Sequence, residues 1–507
     1  MTFCKTSRVC HNGAMRIGCP VGQGSIAVAA GASKRTRGDA ANVKEIRVYE
    51  SCKEKGSHVA PLASIFFEPD EKGHEMQMLQ VYTGVAEQTI HGFGGAFTQA
   101  AAMVFNQMGV AQQEEILQLL FGSEHMAYNS GRIPMGACDF SDGQYSYCDT
   151  PDMQLASFSL GRDGETVIPF VKRAAALAGN LELMASPWSP PAWMKTNGEM
   201  CHGGTLKPEC YEVWAHYFVR YIQTCMSLGV DIQMVSVQNE PKAVQLWESC
   251  LYTAEQEKVF VRDYLAPQLA AAGLGHVGII IWDHNKERTF TRARDILQEE
   301  ALAKIVRWVA FHCYSGDHFE NLALCRRFFP KQELIFTEGC VELTTSKTTM
   351  GAKAAGTEGV RATESAPWAF GEFYAHDIMG NLNGGMNRFV DWNLLLDSRG
   401  GPNHVGNYCS APLICDPGSG AIFKQPSFDY ISHFSRFLPM GSIRLATSRY
   451  TAELEMVAAQ TPNGEIVTVV MNATDHAVKA VLHDADAGQI AAYEFPAHSI
   501  ATFVWEK

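Results

Sequence analysis

The sequence predicts an α/β protein: a (β/α)8 TIM barrel with a flanking β-sandwich domain. Three observations predict it. Strand-like and helix-like segments alternate through the middle of the chain, which is the pattern of α/β folding. Two apolar strand-like runs, in QMVSVQNEP and ELIFTEGC, each end on a glutamate beside a turn residue, Glu240 before Pro241 and Glu338 before Gly339. Those glutamates lie 98 positions apart, about three βα units of roughly 30 residues each. Three units apart on an eight-stranded ring, two strand ends face each other across the barrel mouth. Catalytic groups of such barrels sit at the carboxyl ends of the strands.

Taken in order, residues 1–41 are rich in Gly, Ala and Ser and carry Lys34, Arg35 and Arg37. The apolar stretch after Arg16 imitates a signal peptide, but Pro20, Gln23 and several glycines interrupt it. The segment is expected to be a disordered leader of a cytoplasmic protein, with secretion as the alternative. Residues 42–85 hold the alternating runs EIRVYES, ASIFFEP and MQMLQVYTG, which read as strands but are too few to bury a sheet face alone. Residues 439–507 hold further such runs, with Asn463-Gly464 as a hairpin signal between two of them. Both chain ends are therefore expected to build one β-sandwich.

Residues 86–438 form the expected barrel. Its strands are placed at Gly92–Gly95, Arg132–Met135, Leu183–Ser186, Val235–Asn239, Ile279–Trp282, Val309–His312, Leu334–Thr337 and Phe389–Trp392. Helical periodicity separates most of them, as in Gln112–Leu120, Val167–Ala178, Tyr211–Leu228, Ala254–Ala271 and Phe428–Leu438.

Composition sets bounds on partners. A formal charge of −13 over 507 residues argues against nucleic acid or an anionic membrane as the main partner. No stretch approaches the roughly 20 uninterrupted apolar residues of a spanning helix. The 15 cysteines are scattered, which suits reduced thiols better than a disulfide framework; Cys201, Cys210 and Cys250 are the candidates for pairing. No CxxC pair or HExxH marks a zinc site.

The strand ends carry chemistry. The second supplies Arg132 and then Asp139, the third Trp188 and Trp193, and the fourth Asn239 and Glu240. The fifth ends Trp282-Asp283-His284-Asn285, the sixth His312-Cys313-Tyr314, the seventh Glu338, and the eighth Asp391-Trp392-Asn393. Ring faces stack on the CH faces of sugars, while carboxylates and amides bond hydroxyls. Two facing carboxylates are what glycoside hydrolysis requires.

At this point the chain resembles glycoside hydrolase family 30, the family of the glucosylceramidases. The resemblance rests on HGFGGAFT (91–98), RIPMGACDFS (132–141), ASPWSPPAWMKTNG (185–198), NEP (239–241), FTEGC (336–340), DWNLLLD (391–397), GGPNHVGN (400–407) and KQPSFDYISHFSRFLPMGS (424–442). It implies a retaining β-glycosidase that needs no metal or cofactor and acts on a β-linked glucoside, either an oligosaccharide or a glycolipid. It implies Glu240 as general acid/base and Glu338 as nucleophile. Asp139, Trp188, Asn239, Trp392 and Asn407 resemble residues that hold the sugar. His312 and Tyr314 are counted with them, and with Arg132 resemble groups that orient the nucleophile. The chain departs from the animal lysosomal members at His404 and Cys313, both Trp there, and at Gln238 in Gln-Asn-Glu-Pro.

Several expectations follow. The two carboxyl groups of a retaining enzyme stand about 5–5.5 Å apart. Arg132 lowers the pKa of Glu338, whereas the charge of Glu338 raises that of Glu240. Loops 195–210, 242–252 and 397–423 decide between exo and endo action. Besides an exo-β-glucosidase, the family offers β-1,6-glucanase, β-xylosidase and β-fucosidase activities. A binding protein without catalysis is disfavoured because both carboxylates are present.

Overall fold

The computed structural model describes residues 44–75, 77–344 and 367–507. The expected leader at 1–41 lies outside the described residues. Eight parallel strands close into a barrel: Gly92–Ala96, Ser130–Pro134, Glu182–Ser186, Met234–Ser236, Gly278–Asn285, Val306–His312, Glu333–Glu338 and Met386–Asp391. Closure is made where Arg388–Asp391 pair with Gly92–Gly95. The first strand approaches the second most closely at Gly94, where a Cβ would lie 1.8 Å from the Ser130 carbonyl oxygen. Side chains alternate along each strand, so Met184, Met234, Ile280, Ala310, Ile335 and Val390 form a small cluster of their own inside the ring. The outward residues join the helices in the main core.

The helices follow the apolar periodicity. Val167–Ala178 has the expected bounds, and Tyr211–Ser227 ends one residue early. Ala254–Ala271 is continuous but not uniform. It starts at a capping box, Thr253 with Gln256, and widens into a π-turn over Phe260–Leu265 before resuming at Ala266. Pro267 has no N–H to give to the preceding turn, and the wider turn accommodates that missing bond.

Both chain ends enter one sheet. Glu45–Cys52 pairs with Ser499–Glu506, and Met78–Ile90 lies between Ser442–Arg449 and Val478–Asp484. Gly464 has φ +89° in the hairpin that joins Leu454–Gln460 to Glu465–Asn472. The sheet folds over on itself: Tyr493 and Phe495 reach Phe503, on a strand far away in the hydrogen-bonded order, with ring centroids 5.0 and 5.8 Å apart. Ile46, Leu79, Leu445, Val470, Leu482 and Trp505 share the enclosed core. The twelve cysteines among the described residues are free thiols, Cys201, Cys210 and Cys250 included.

The β-domain is fastened to the barrel by the helix Pro426–Ser435. Its His433 is fully buried, with ring nitrogens 3.0 Å from Ser51 Oγ and 2.7 Å from Thr502 Oγ1. Burial, helped by the charge of Arg436, pushes its pKa down from 6.5 to about 3. The unfolded chain therefore takes up a proton below pH 6.5 that the folded chain refuses until about pH 3. Stability from this site is complete above pH 6.5 and is lost as the pH falls. At about 1.4 kcal/mol per pH unit, acidification to pH 5 costs roughly 2 kcal/mol. In thermal melts between pH 7 and 5, His433→Gln, which cannot charge, should show a flatter fall in Tm than wild type; an equal slope would place the proton uptake elsewhere.

Candidate active site

The site is built on a buried cation. Arg132 stands in the middle of the second barrel strand with no exposed surface. Its guanidinium bonds four neighbours: Glu338 Oε2 at 2.6 Å, Asn239 Oδ1 at 2.8 Å, Asp283 Oδ2 at 3.0 Å and Ser186 Oγ at 3.1 Å. Trp188 and Trp392 lie over it, with ring centroids 4.7 and 5.8 Å from Cζ. Burial works against the charge, but Asp283 and Glu338 outweigh it and raise the pKa.

Asp283 is reached through an irregularity. The fifth strand slips register between Trp282 and His284, and both Trp282 and Asp283 take positive φ, +73° and +52°. The bulge re-aims successive side chains. Asp283 turns fully inward, where its Oδ1 accepts from Thr337 Oγ1 at 2.6 Å and lies 3.1 Å from His312 Nε2. Burial opposes its ionisation, but Arg132 and then His312 hold its carboxyl well below the usual range. Its carbonyl accepts the backbone N–H of Glu240 at 2.9 Å.

Glu240 has φ +47°, a strained conformation for a residue with a side chain. Its Oε1 is 3.3 Å from His312 Nδ1 and 3.4 Å from His284 Nδ1. A continuous path thus runs from Glu240 through His312, Asp283 and Arg132 to Glu338. Glu338 receives a second hydrogen bond on Oε1 from the Tyr314 hydroxyl, at 3.0 Å.

The expected rise in the Glu240 pKa is not found. Burial favours the neutral acid, but the facing charges of His284 and His312 prevail and lower it. His312 moves the other way: burial favours its neutral form, yet Glu338, Asp283 and Glu240 together raise it to about 9. At neutral pH the proton of this pair rests on the imidazole.

These groups surround a cavity of about 710 Å³. Asp139, Trp188, Asn239, Glu240, Glu338, Trp392 and Asn407 line it, as the sequence led one to expect. Trp188 and Trp392 stack with centroids 5.2 Å apart. Asp139 accepts amide hydrogens from Asn403 and Asn407 at 3.2 Å each. Burial first, and then the charge of Glu338, push its pKa up to about 8, so at neutral pH it is a protonated donor.

Three expectations need correction. His312 is fully buried and does not line the cavity; it reaches Glu240 and Asp283, not the carboxylate of Glu338. Of the strand-end tryptophans, Trp193 spends its N–H on the Cys148 carbonyl and Trp282 on that of Asn285, and neither lines the cavity. Loop 195–210 also stays out. It backs loop 242–252 through bridges Cys201–Glu248 and Thr205–Leu251, and through Lys195 Nζ on the Ser249 carbonyl at 2.6 Å.

Asp283, His284, Asn403 and Trp247 also belong to the site, though the sequence gives none of them a role. Asp283 and His284 stood in the fifth strand end and Asn403 in the GGPN motif, but no spacing rule announces a bulge. Trp247 comes from a loop with no periodicity. Val244, Leu246 and Val405 join Trp247 at the lip, with Val244 62% and Leu246 72% exposed.

Among the described residues, two groups place three possible metal donors within 4.8 Å of one another: Glu199, Cys201 and His202 at the surface, and Glu240 and His284 of the cavity wall with the buried His312.

The chain is similar to known proteins. A family profile described as the glycosyl hydrolase family 30 TIM-barrel domain matches residues 90–438, and one described as the family's beta sandwich domain matches residues 441–503. The chain is 34% identical to the lysosomal acid glucosylceramidase of Mus musculus over 83% of its own length and 82% of that protein. It is 26% identical to the endo-1,6-beta-D-glucanase neg1 of Aspergillus fumigatus, over 82% and 85% of the two chains. The crystal structure of SrfJ from Salmonella typhimurium superposes with a TM-score of 0.85 at 36% identity, covering 91% of this chain and all of that one.

Replacing Arg132 tests the architecture. Arg132→Lys keeps a charge but cannot hold four acceptors in one plane. We expect kcat to fall by at least about 10² and stability by about 3–5 kcal/mol, the usual result of breaking a buried pair. Near-normal turnover would show that Glu338 does not depend on Arg132 for its position.

Proposed function

The chain belongs to glycosyl hydrolase family 30, and from that premise we propose that it hydrolyses β-glucosides with retention of configuration, as an exo-β-glucosidase of the glucosylceramidase type. The observation that carries the reading is the contrast between two carboxylates on one cavity. Glu338 is clamped by Arg132 and Tyr314, which suits a group that must stay ionised and aimed. Glu240 is paired with two histidines, which suits a group that exchanges a proton.

In the first step a Glu338 oxygen attacks the anomeric carbon while the bond to the aglycone oxygen breaks. Glu240 relays to that oxygen the proton held on His312, across their 3.3 Å contact, and is left as a carboxylate. In the second step Glu240 takes a proton from water, the water oxygen attacks the anomeric carbon, and Glu338 departs. Double displacement requires the carboxyl groups about 5–5.5 Å apart. Arg132 occupies Asn239 Oδ1, which leaves the amide NH2 to donate to the sugar 2-hydroxyl. Protonated Asp139 and Asn407 serve the far hydroxyls, and the paired tryptophans serve the ring. The lip of Val244, Leu246, Trp247 and Val405 favours an apolar aglycone over a second sugar. The resemblance to a glucosylceramidase supports the same choice; the 26% identical fungal endo-1,6-beta-D-glucanase is the basis of the alternative, β-1,6-glucan.

Substrate panels separate the two. Glucosylceramide in detergent should be cleaved with kcat/KM at least tenfold above that for a β-1,6-glucan, since about 1.4 kcal/mol of lip contact suffices; the reverse order would favour the glucanase.

The roles are tested with an aryl β-glucoside bearing a good leaving group. Glu240→Ala should form the glycosyl-enzyme and stall, and azide should restore turnover as β-glucosyl azide. Glu338→Ala should give only the α-azide, by direct attack. Opposite anomers would reverse the two roles, and two fully active variants would remove the assignment.

A further inference from the structure

We propose that Glu240, His284 and His312 form a binding site for a divalent transition metal of the zinc class, and that the bound ion silences hydrolysis. The binding does not depend on the functional reading above; the silencing rests on the proton role given there to Glu240.

The first support is geometry. Glu240 Oε1 stands 3.3 Å from His312 Nδ1 and 3.4 Å from His284 Nδ1, with all three donors within 4.8 Å of one another. Charge-assisted hydrogen bonds close to about 2.7–2.9 Å, so these contacts are long for such bonds. They match the edges of a tetrahedron around zinc, about 3.3–3.4 Å for bonds of about 2.0–2.1 Å.

The second support is the state of the donors. His284 Nδ1 is buried, and its partner is Glu240 Oε1 at 3.4 Å, a contact too long for a strong hydrogen bond. His312 Nε2 is committed to Asp283 Oδ1 at 3.1 Å, which directs Nδ1 at the site. A carboxylate behind a histidine is the usual outer support of a metal ligand; it fixes the ring and raises its basicity. Thr337 Oγ1 at 2.6 Å and Arg132 at 3.0 Å fix Asp283 in turn.

The third support is access. Glu240 and His284 line the cavity, so an ion arrives from solvent and keeps a fourth position for water. Two imidazoles and one carboxylate select zinc or copper over magnesium or calcium. A bound ion occupies Glu240 Oε1, where the proton for the leaving group would sit, and so blocks its transfer. The surface group of Glu199, Cys201 and His202 offers less order: its donors are already bonded to each other, and the side chains of Glu199 and His202 are more than half exposed.

The full chain, stripped with EDTA and desalted, is titrated with Co2+ in the absence of substrate. A nitrogen and oxygen site should give visible d–d absorption without a near-ultraviolet thiolate charge-transfer band. That absorption should vanish in His284→Gln and persist in Cys201→Ser. Zn2+ should lower aryl β-glucosidase turnover by at least about tenfold, reversibly by EDTA, since blocking a proton-transfer group worth about 10²–10⁴ disables each loaded molecule. For His284→Gln the ratio of rates with and without Zn2+ should return towards one whatever its basal rate. A thiolate band, a Co2+ spectrum unchanged in His284→Gln, or loss of the spectrum in Cys201→Ser would overturn the site. Co2+ binding that needs His284 but leaves hydrolysis at full rate would overturn the silencing and the proton role of Glu240, and leave the site standing.

Discussion

A guanidinium sealed from water dominates this structure. A buried charge of that size costs several kcal/mol unless its geometry is satisfied throughout, and Arg132 meets that condition only because four strand ends deliver acceptors to one plane. Ser186 comes from the third strand, Asn239 follows the fourth, Asp283 belongs to the fifth and Glu338 to the seventh. A shift in any one of these strands would strip an acceptor from the cation. The ring is therefore held in register from the carboxyl ends of its strands as well as from its apolar interior, and the side chains that line the cavity are positioned by the same bonds that stabilise the barrel.

That arrangement makes two identical residue types behave differently. Glu338 takes hydrogen bonds from a permanent cation and a phenol. Glu240 faces imidazoles, which gain and lose protons in the working range of an enzyme. Asp283 separates the two environments: one oxygen serves Arg132, and the other serves His312 and Thr337. It needs no contact with substrate to give the two carboxylates different neighbours. Around them the cavity is graded, with a polar floor of Asp139, Asn239 and Asn407 and an apolar lip of Val244, Leu246 and Trp247.

Much of this was legible in the residues. All eight barrel strands lie where short apolar runs meet turn residues, because a buried parallel strand needs such a run and its end needs a breaker. Glu240 and Glu338 were legible for the same reason. What escaped was local irregularity. His284 and Asp283 depend on a register slip that no period encodes. The π-turn before Pro267 is a compromise between a helix pattern and a missing donor. Trp247 reaches the cavity from a loop whose position is set by bridges to Cys201 and Thr205. The lowered pKa of Glu240 depends, against its burial, on two histidines that only tertiary structure brings beside it.

The strand Met78–Ile90 has a consequence of another kind. It begins as an interior member of the outer sheet, and only His91 separates its end from the first strand of the barrel. Neither family profile includes its first twelve residues, nor any of Glu45–Cys52. The two halves of this protein are accordingly not interchangeable modules joined by a tether. A gene fragment cut at residue 90 would leave Ser442–Arg449 and Val478–Asp484 without the partner between them. Recombination, in the laboratory or in evolution, must therefore carry the outer sheet and the barrel together as one unit of inheritance.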